Sequence, residues 1–140
     1  MLVVVVEDDP YGERIPWFQH WFGGDDLRVA NSVTEALGLL TRILDEGDAV
    51  DVLFLDHDLD GSFDYLPSSS PECGMRVAEC IAENHIQGVI IIHSENPEGA
   101  GNINRFLPYA KRIPFPKLKG MMNDGGLGFW HQDTQREIAK

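Results

Sequence analysis

Val3-Val4-Val5-Val6-Glu7-Asp8-Asp9-Pro10 is an unbroken aliphatic run that stops on three acids, and Asp51-Val52-Leu53-Phe54-Leu55-Asp56-His57-Asp58 repeats the arrangement further along the chain. A third run, Val89-Ile90-Ile91-Ile92, stops on His93-Ser94-Glu95-Asn96. Short, continuous, β-branched runs are the mark of parallel strands covered on both faces. Open α/β sheets bind ligands at the carboxyl ends of such strands. Here those ends carry carboxylates and two imidazoles.

Between the runs the apolar spacing turns helical. Ile15, Phe18, Trp21 and Phe22 share one face, with Pro16 expected in the first turn, where its missing N–H costs little, and Gly23-Gly24 closing the segment. A short strand is expected over 27–30. Ser32-Val33-Thr34-Glu35 reads as a capping box ahead of a stripe made by Val33, Ala36, Leu37, Leu40, Ile43 and Leu44, and Gly47 ends it. A loop over 58–72, rich in Gly, Ser and Pro, is longer than an ordinary strand-to-helix connection and reads as a flap beside the strand ends. Further helices are expected over 73–84 and from Asn96-Pro97, an N-cap followed by proline, to about Leu107. A fifth strand is expected over 113–115, at an edge because Pro114 and Pro116 cannot donate to a central ladder.

Five strands alternating with helices imply an α/β, doubly wound parallel sheet. In the order 2-1-3-4-5 the topological switch falls between the first and third strands, above Glu7-Asp8 and Asp56. Residues 1–119 would form this one domain, and 120–140 a C-terminal extension that could add a last helix packed on it.

The 140 residues carry 11 Lys and Arg against 23 Asp and Glu, a net charge of −12 that repels a polyanionic backbone and excludes broad nucleic-acid binding. A small phosphorylated ligand, or a nucleic-acid terminus, escorted by a metal ion is compatible with that charge. No run approaches the roughly 18 apolar residues of a membrane span, and Met1-Leu2-Val3 lacks the basic start of a secretory signal, so no membrane partner and a cytoplasmic address are expected. Cys73 and Cys80 on one helix would be about 10 Å apart along its axis, too far to bridge, and read as free thiols. Trp17, Trp21 and Phe22 are spaced for a core face, and His20, His85 and His131 read as surface residues. The Gly-rich 123–128 segment lacks the lysine and hydroxyl of a phosphate loop.

Carboxylates that converge on one crevice must hold a proton or recruit a cation. Hard oxygens suit Mg²⁺, with Mn²⁺ the alternative, so Glu7, Asp8 and Asp56 are expected to form a divalent-metal site. Strand alternation places His57 opposite Asp56, either packed beneath a helix or, where the strand turns, facing the crevice. His93, Ser94 and Asn96 precede a helix whose N-terminus favours anions, so Ser94 and Asn96 are candidate phosphate-binding residues and His93 a candidate for proton transfer.

The acidic strand ends resemble those of response-regulator receiver domains, over roughly residues 2–117. That resemblance implies Mg²⁺ at Glu7, Asp8 and Asp56, an Asp56 that accepts a phosphoryl group, and a metal contact from the backbone carbonyl of Asp58. Two departures weaken a signalling role. His93 stands where a receiver has Thr or Ser, and Phe115-Pro116 stands where it has Lys-Pro, with Lys117 and Lys119 close by. Leu55-Asp56-His57-Asp58-Leu59 with His93-Ser94-Glu95-Asn96-Pro97-Glu98-Gly99-Ala100 is more closely similar to the cyclic-phosphate-processing receiver group. This implies a metal-dependent phosphoesterase acting on 2',3'-cyclic phosphates of nucleotides or RNA ends, with Asp56, His57 and His93 as catalytic residues and the two histidines sharing the acid and base roles. The alternative is a stand-alone receiver phosphorylated on Asp56, or a degenerate signalling or binding module.

Overall fold

The aliphatic runs form the centre of one parallel sheet in a computed structural model, which describes residues 1–125. The elements are β1 (Leu2–Val6), α1 (Arg14–Phe22), β2 (Asp26–Ala30), α2 (Val33–Asp45), β3 (Val52–Leu55), α3 (Gly74–Glu83), β4 (Val89–Ile92), α4 (Pro97–Phe106), β5 (Lys111–Arg112) and α5 (Phe115–Gly125). The five strands lie in the order 2-1-3-4-5, with every pairing parallel.

Each central strand is buried on both faces, and alternate side chains feed two cores. Val4, Val6, Leu53, Leu55, Ile90 and Ile92 pack under α2, α3 and α4. Val3, Val5, Val52, Phe54 and Ile91 pack with Phe18 and Phe22 of α1 and with Phe115, Leu118 and Met122 of α5. Trp17 and Trp21 lie against this second cluster, as their helical spacing predicts. The Ser32 hydroxyl accepts from the Glu35 amide at 3.1 Å while the Glu35 carboxylate accepts from the Asn31 amide, so the capping box forms with its return bond one residue early.

The C-terminal third departs from the reading of 113–115 as a strand. β5 is the two residues before it, and Phe115 already opens α5. Pro114 and Pro116 explain the shift: proline withholds a ladder donor but is tolerated in the first turn of a helix, so the pair marks a helix start. Helix α5 runs across residue 119, and positions 126–140, with His131 and the rest of the expected extension, lie outside the described residues. Cys73 and Cys80 are free thiols. No helix among the described residues is long and apolar enough to cross a membrane.

Candidate functional site

Register brings the three strand ends level. Val6 pairs with Leu55 and Leu55 with Ile92, and the next amides continue the ladder, Asp56 N–H to the Val6 carbonyl at 3.0 Å and His93 N–H to the Leu55 carbonyl at 3.1 Å. Glu7, Asp56 and His93 therefore occupy adjacent rungs. They continue the side-chain alternation that points toward α1 and α5, and one ligand atom from each lies within 4.8 Å of the others.

Glu7 is fully buried. Its Oε1 accepts from His93 Nε2 at 2.8 Å and from Arg14 Nη1 at 3.1 Å, and its Oε2 from the Asp9 amide at 2.8 Å. Burial pushes its pKa up, but the hydrogen bond and charge of His93 and the charge of Arg14 outweigh it and bring the carboxyl to about 2. Asp56 goes the other way. Burial and the neighbouring Glu7 charge raise it well above the usual carboxylate range, against the pull of Arg14, whose Nη1 is 3.8 Å from Oδ2. Asp8 is pushed up to about 7 by burial and by Glu7, although its Oδ2 accepts from the Gly61 amide at 2.8 Å. The cluster thus carries more carboxylate than its own cations satisfy.

Asp9 completes the acidic run in a different way. At φ +49° it turns its carboxylate back to accept the amides of Glu13, Arg14 and Ile15 at 2.9–3.0 Å, so it caps α1 and aims Arg14 at the cluster. Arg14 also pairs with Glu95 and stacks over the Phe115 ring at 4.9 Å. Sequence reasoning missed Arg14. Its signal is one arginine set one turn past an acidic strand end, and nothing local reveals which carboxylates it will reach. Lys117 and Lys119 are exposed on α5 and do not line the site.

An open cleft of about 320 Å³ lies above the strand ends and is lined by Glu7, Asp8, Arg14, Asp56, Asp58, Ser94 and Asn96, with residues of the flap. The structure brings the predicted Glu7, Asp8, Asp56, Asp58, Ser94 and Asn96 together, adds Arg14, and places both histidines behind them. Neither His57 nor His93 lines the cleft, and both rings are fully buried. His93 presents Nε2 to Glu7 and sits against Phe18 and Phe54, with Nδ1 lacking a hydrogen-bond partner among the described residues. His57 lies on the other face of the sheet, bonded through Nδ1 to Asp58 at 2.7 Å and through Nε2 to Ser68 at 3.0 Å. Burial opposes its charge, but Cys73 and Asp58 raise its pKa, and its bonds to Asp58 and Ser68 tie the flap down.

Two glycines make this packing fit. A Cβ on Gly99 would fall 2.5 Å from His57 Nδ1 and 2.7 Å from Cδ2, so α4 can cross the imidazole only as glycine. Gly74 lets α3 start against the strand end, where its amide donates to the His57 carbonyl at 2.6 Å. Asn96 caps α4 by accepting the Gly99 amide at 3.0 Å, and its amide group donates to Asp58 Oδ1 at 3.1 Å and to the Leu66 carbonyl at 3.3 Å. The Asn96 side chain is therefore committed to the cap and the flap, whereas the Ser94 hydroxyl, which accepts from the Asn96 amide at 3.1 Å, keeps its proton to donate.

The sheet order and the acidic switch-point cleft define a receiver-type α/β domain. A signal receiver domain from Vibrio parahaemolyticus, from a protein assigned as a Luxo repressor, is similar in fold, with a TM-score of 0.57 at 18% identity over 84% of this chain and 83% of that one. No curated protein matches. The model of the cyclic-phosphate processing receiver domain matches residues 3–108, and the chain belongs to that family.

Proposed function

We propose that the cleft is a metal-dependent phosphoesterase site that opens a 2',3'-cyclic phosphate on a nucleotide or RNA end. The convergence of Glu7, Asp56 and His93 within 4.8 Å, beside Asp8, carries this reading. The donor set fits the metal: Asp8 and Asp56, held at raised pKa beside Glu7, are short of positive charge, and the hard oxygens of all three suit Mg²⁺, while the imidazole beside them also suits Mn²⁺. Glu7, Asp8 and Asp56 would hold the ion, with the Asp58 carbonyl alongside. When bound, it would supply Lewis-acid stabilisation of the phosphate and a water of lowered pKa.

The chain's own groups do the rest. With Glu7 and Asp56 neutralised, the Arg14 guanidinium is free to turn its donors to phosphate oxygens, taking the place of the lysine that Phe115-Pro116 lacks. Ser94 donates its hydroxyl to the same group. Water adds to phosphorus, one ribose P–O bond breaks, and the proton lost by the water and the one gained by the ribose oxygen are exchanged with the carboxylate cluster. His93, behind Glu7, serves as its proton reservoir. His57 is a positioning residue in this reading, since both its nitrogens are engaged by Asp58 and Ser68.

The test is incubation with adenosine 2',3'-cyclic monophosphate and Mg²⁺ or Mn²⁺, beside acetyl phosphate as a phosphodonor. Ring opening that is lost with chelator and in Asp56→Asn supports the proposal. The receiver fold favours a second reading, a signalling module phosphorylated on Asp56. Stable labelling of Asp56 by acetyl phosphate without hydrolysis would establish that one instead.

A further inference from the structure

Three aromatic rings stand at the mouth of the cleft, and the chemistry described above uses none of them. Among the described residues the three most exposed large hydrophobic side chains are Tyr11 at 72%, Phe63 at 64% and Tyr65 at 62%, and all three line this one cleft. They come from separate segments, Tyr11 from the connection after β1 and the other two from the flap. Exposed apolar surface gathered beside a polar site marks a surface that something covers.

We propose that Tyr11, Phe63 and Tyr65 form a ledge on which the base of a nucleoside cyclic phosphate stacks, so that the cleft selects mononucleotides over base-free cyclic phosphates. The inference rests on the phosphoesterase reading for the position of the phosphate. The ledge is held in place. Tyr11 and Phe63 touch at 4.6 Å between centroids, tilted by 46°, which leaves most of each ring open. The Tyr65 hydroxyl donates to the Glu95 carbonyl at 3.0 Å. The flap between is pinned by Gly61 N–H to Asp8 and by Leu66 N–H to Asp58, at 2.8 and 3.0 Å.

The occupant follows from the charges. Glu7, Asp8, Asp56, Asp58, Asp64 and Glu95 line the cleft together with Arg14, its one cation among the described residues. A bound metal can offset one phosphate, but a run of further phosphates or an acidic peptide would be repelled. What fits is a planar, uncharged ring joined through a short linker to one phosphate, which describes a mononucleotide. The cleft volume of about 320 Å³ is at the small end of the range for small-ligand sites, in keeping with a mononucleotide. Base-on-aromatic stacking tolerates any base, because every base offers a π face.

The experiment compares kcat/KM for adenosine 2',3'-cyclic monophosphate and for methyl riboside 2',3'-cyclic phosphate with Mg²⁺, together with calorimetric binding of both. The wild type should prefer the nucleotide by roughly ten- to a hundredfold. In Phe63→Ala and Tyr11→Ala, exposed sites where folding is not at stake, the ratio should fall toward one. Phe63→Trp should keep the preference, and Phe63→Leu, apolar but without a π face, should not. Hydrolysis of both compounds at equal efficiency by the wild type would overturn the ledge and leave the phosphoesterase standing. Binding of the nucleotide that weakens in Phe63→Ala, with no hydrolysis, would uphold the ledge and remove the phosphoesterase. Neither binding nor hydrolysis would overturn both.

Discussion

Asp56→Asn should make the metal-free protein more stable while removing its response to Mg²⁺. Arg14 Nη1 is 3.8 Å from the Asp56 carboxylate, an attraction of roughly 4 kcal/mol at an effective dielectric of about 20. A Glu7 oxygen lies within 4.8 Å, a repulsion of roughly 3.5 kcal/mol or more on the same scale. These nearly cancel, so the desolvation of a buried carboxylate decides the sign, and that costs several kcal/mol. An Asn oxygen can still accept the His57 amide, now at 2.8 Å, so little else is lost. The expected gain is about 1–3 kcal/mol, or about 3–10 °C in Tm for a chain of this length. Because the folded pKa of Asp56 is raised, the wild type keeps its full stability below the unfolded value near 4 and loses it as pH rises through the folded value. The advantage of the variant should therefore vanish near pH 4 and be present at pH 8. Thermal melts in EDTA at both pH values measure this. Repeated with Mg²⁺ at about a hundred times its Kd, they should show the wild type gaining about 2.7 kcal/mol and the variant much less. A variant that melts below the wild type in EDTA at pH 8, or an advantage unchanged at pH 4, would refute the reasoning.

In His93→Ala, Glu7 stays buried without its strongest partner, and the expected cost is about 2–4 kcal/mol, read from urea midpoints at pH 7. Glu7 has a depressed pKa, so its contribution is present above the unfolded value and fades as pH falls toward 2; the variant should lose stability at a higher pH on the acid side. Gly99→Ala should cost about 1–3 kcal/mol through overlap with the His57 ring, and a double-mutant cycle with His57→Ala should recover part of it; strict additivity would place the clash elsewhere. Arg14→Gln should move two ligands in opposite directions: Mg²⁺ should bind more tightly by calorimetry, as a competing cation is gone, and the KM for a cyclic phosphate should rise roughly ten- to a hundredfold.

Periodicity and end signals were enough to recover the architecture. Aliphatic runs of four or five residues are the pattern of strands buried on both faces, and helical stripes between them imply parallel crossovers, so the doubly wound sheet followed from local pattern, while its 2-1-3-4-5 order, and with it the cleft above Glu7 and Asp56, came from the receiver resemblance. Alternation also carried His57 to the face opposite Asp56. Three things were out of reach of local pattern because they depend on contacts between distant segments. Whether Glu7, Asp56 and His93 stand level is a matter of strand register. Whether a histidine at a strand end meets the cleft depends on what packs over it, which here is Gly99 above His57 and Phe18 beside His93. Which cation enters an acidic cluster depends on the aim of a helix, and the Asp9 carboxylate sets that aim for Arg14 through three amides. Short-range spacing encodes the elements; charge balance within the cleft belongs to the assembled fold, because burial and Coulomb terms act through space rather than along the chain.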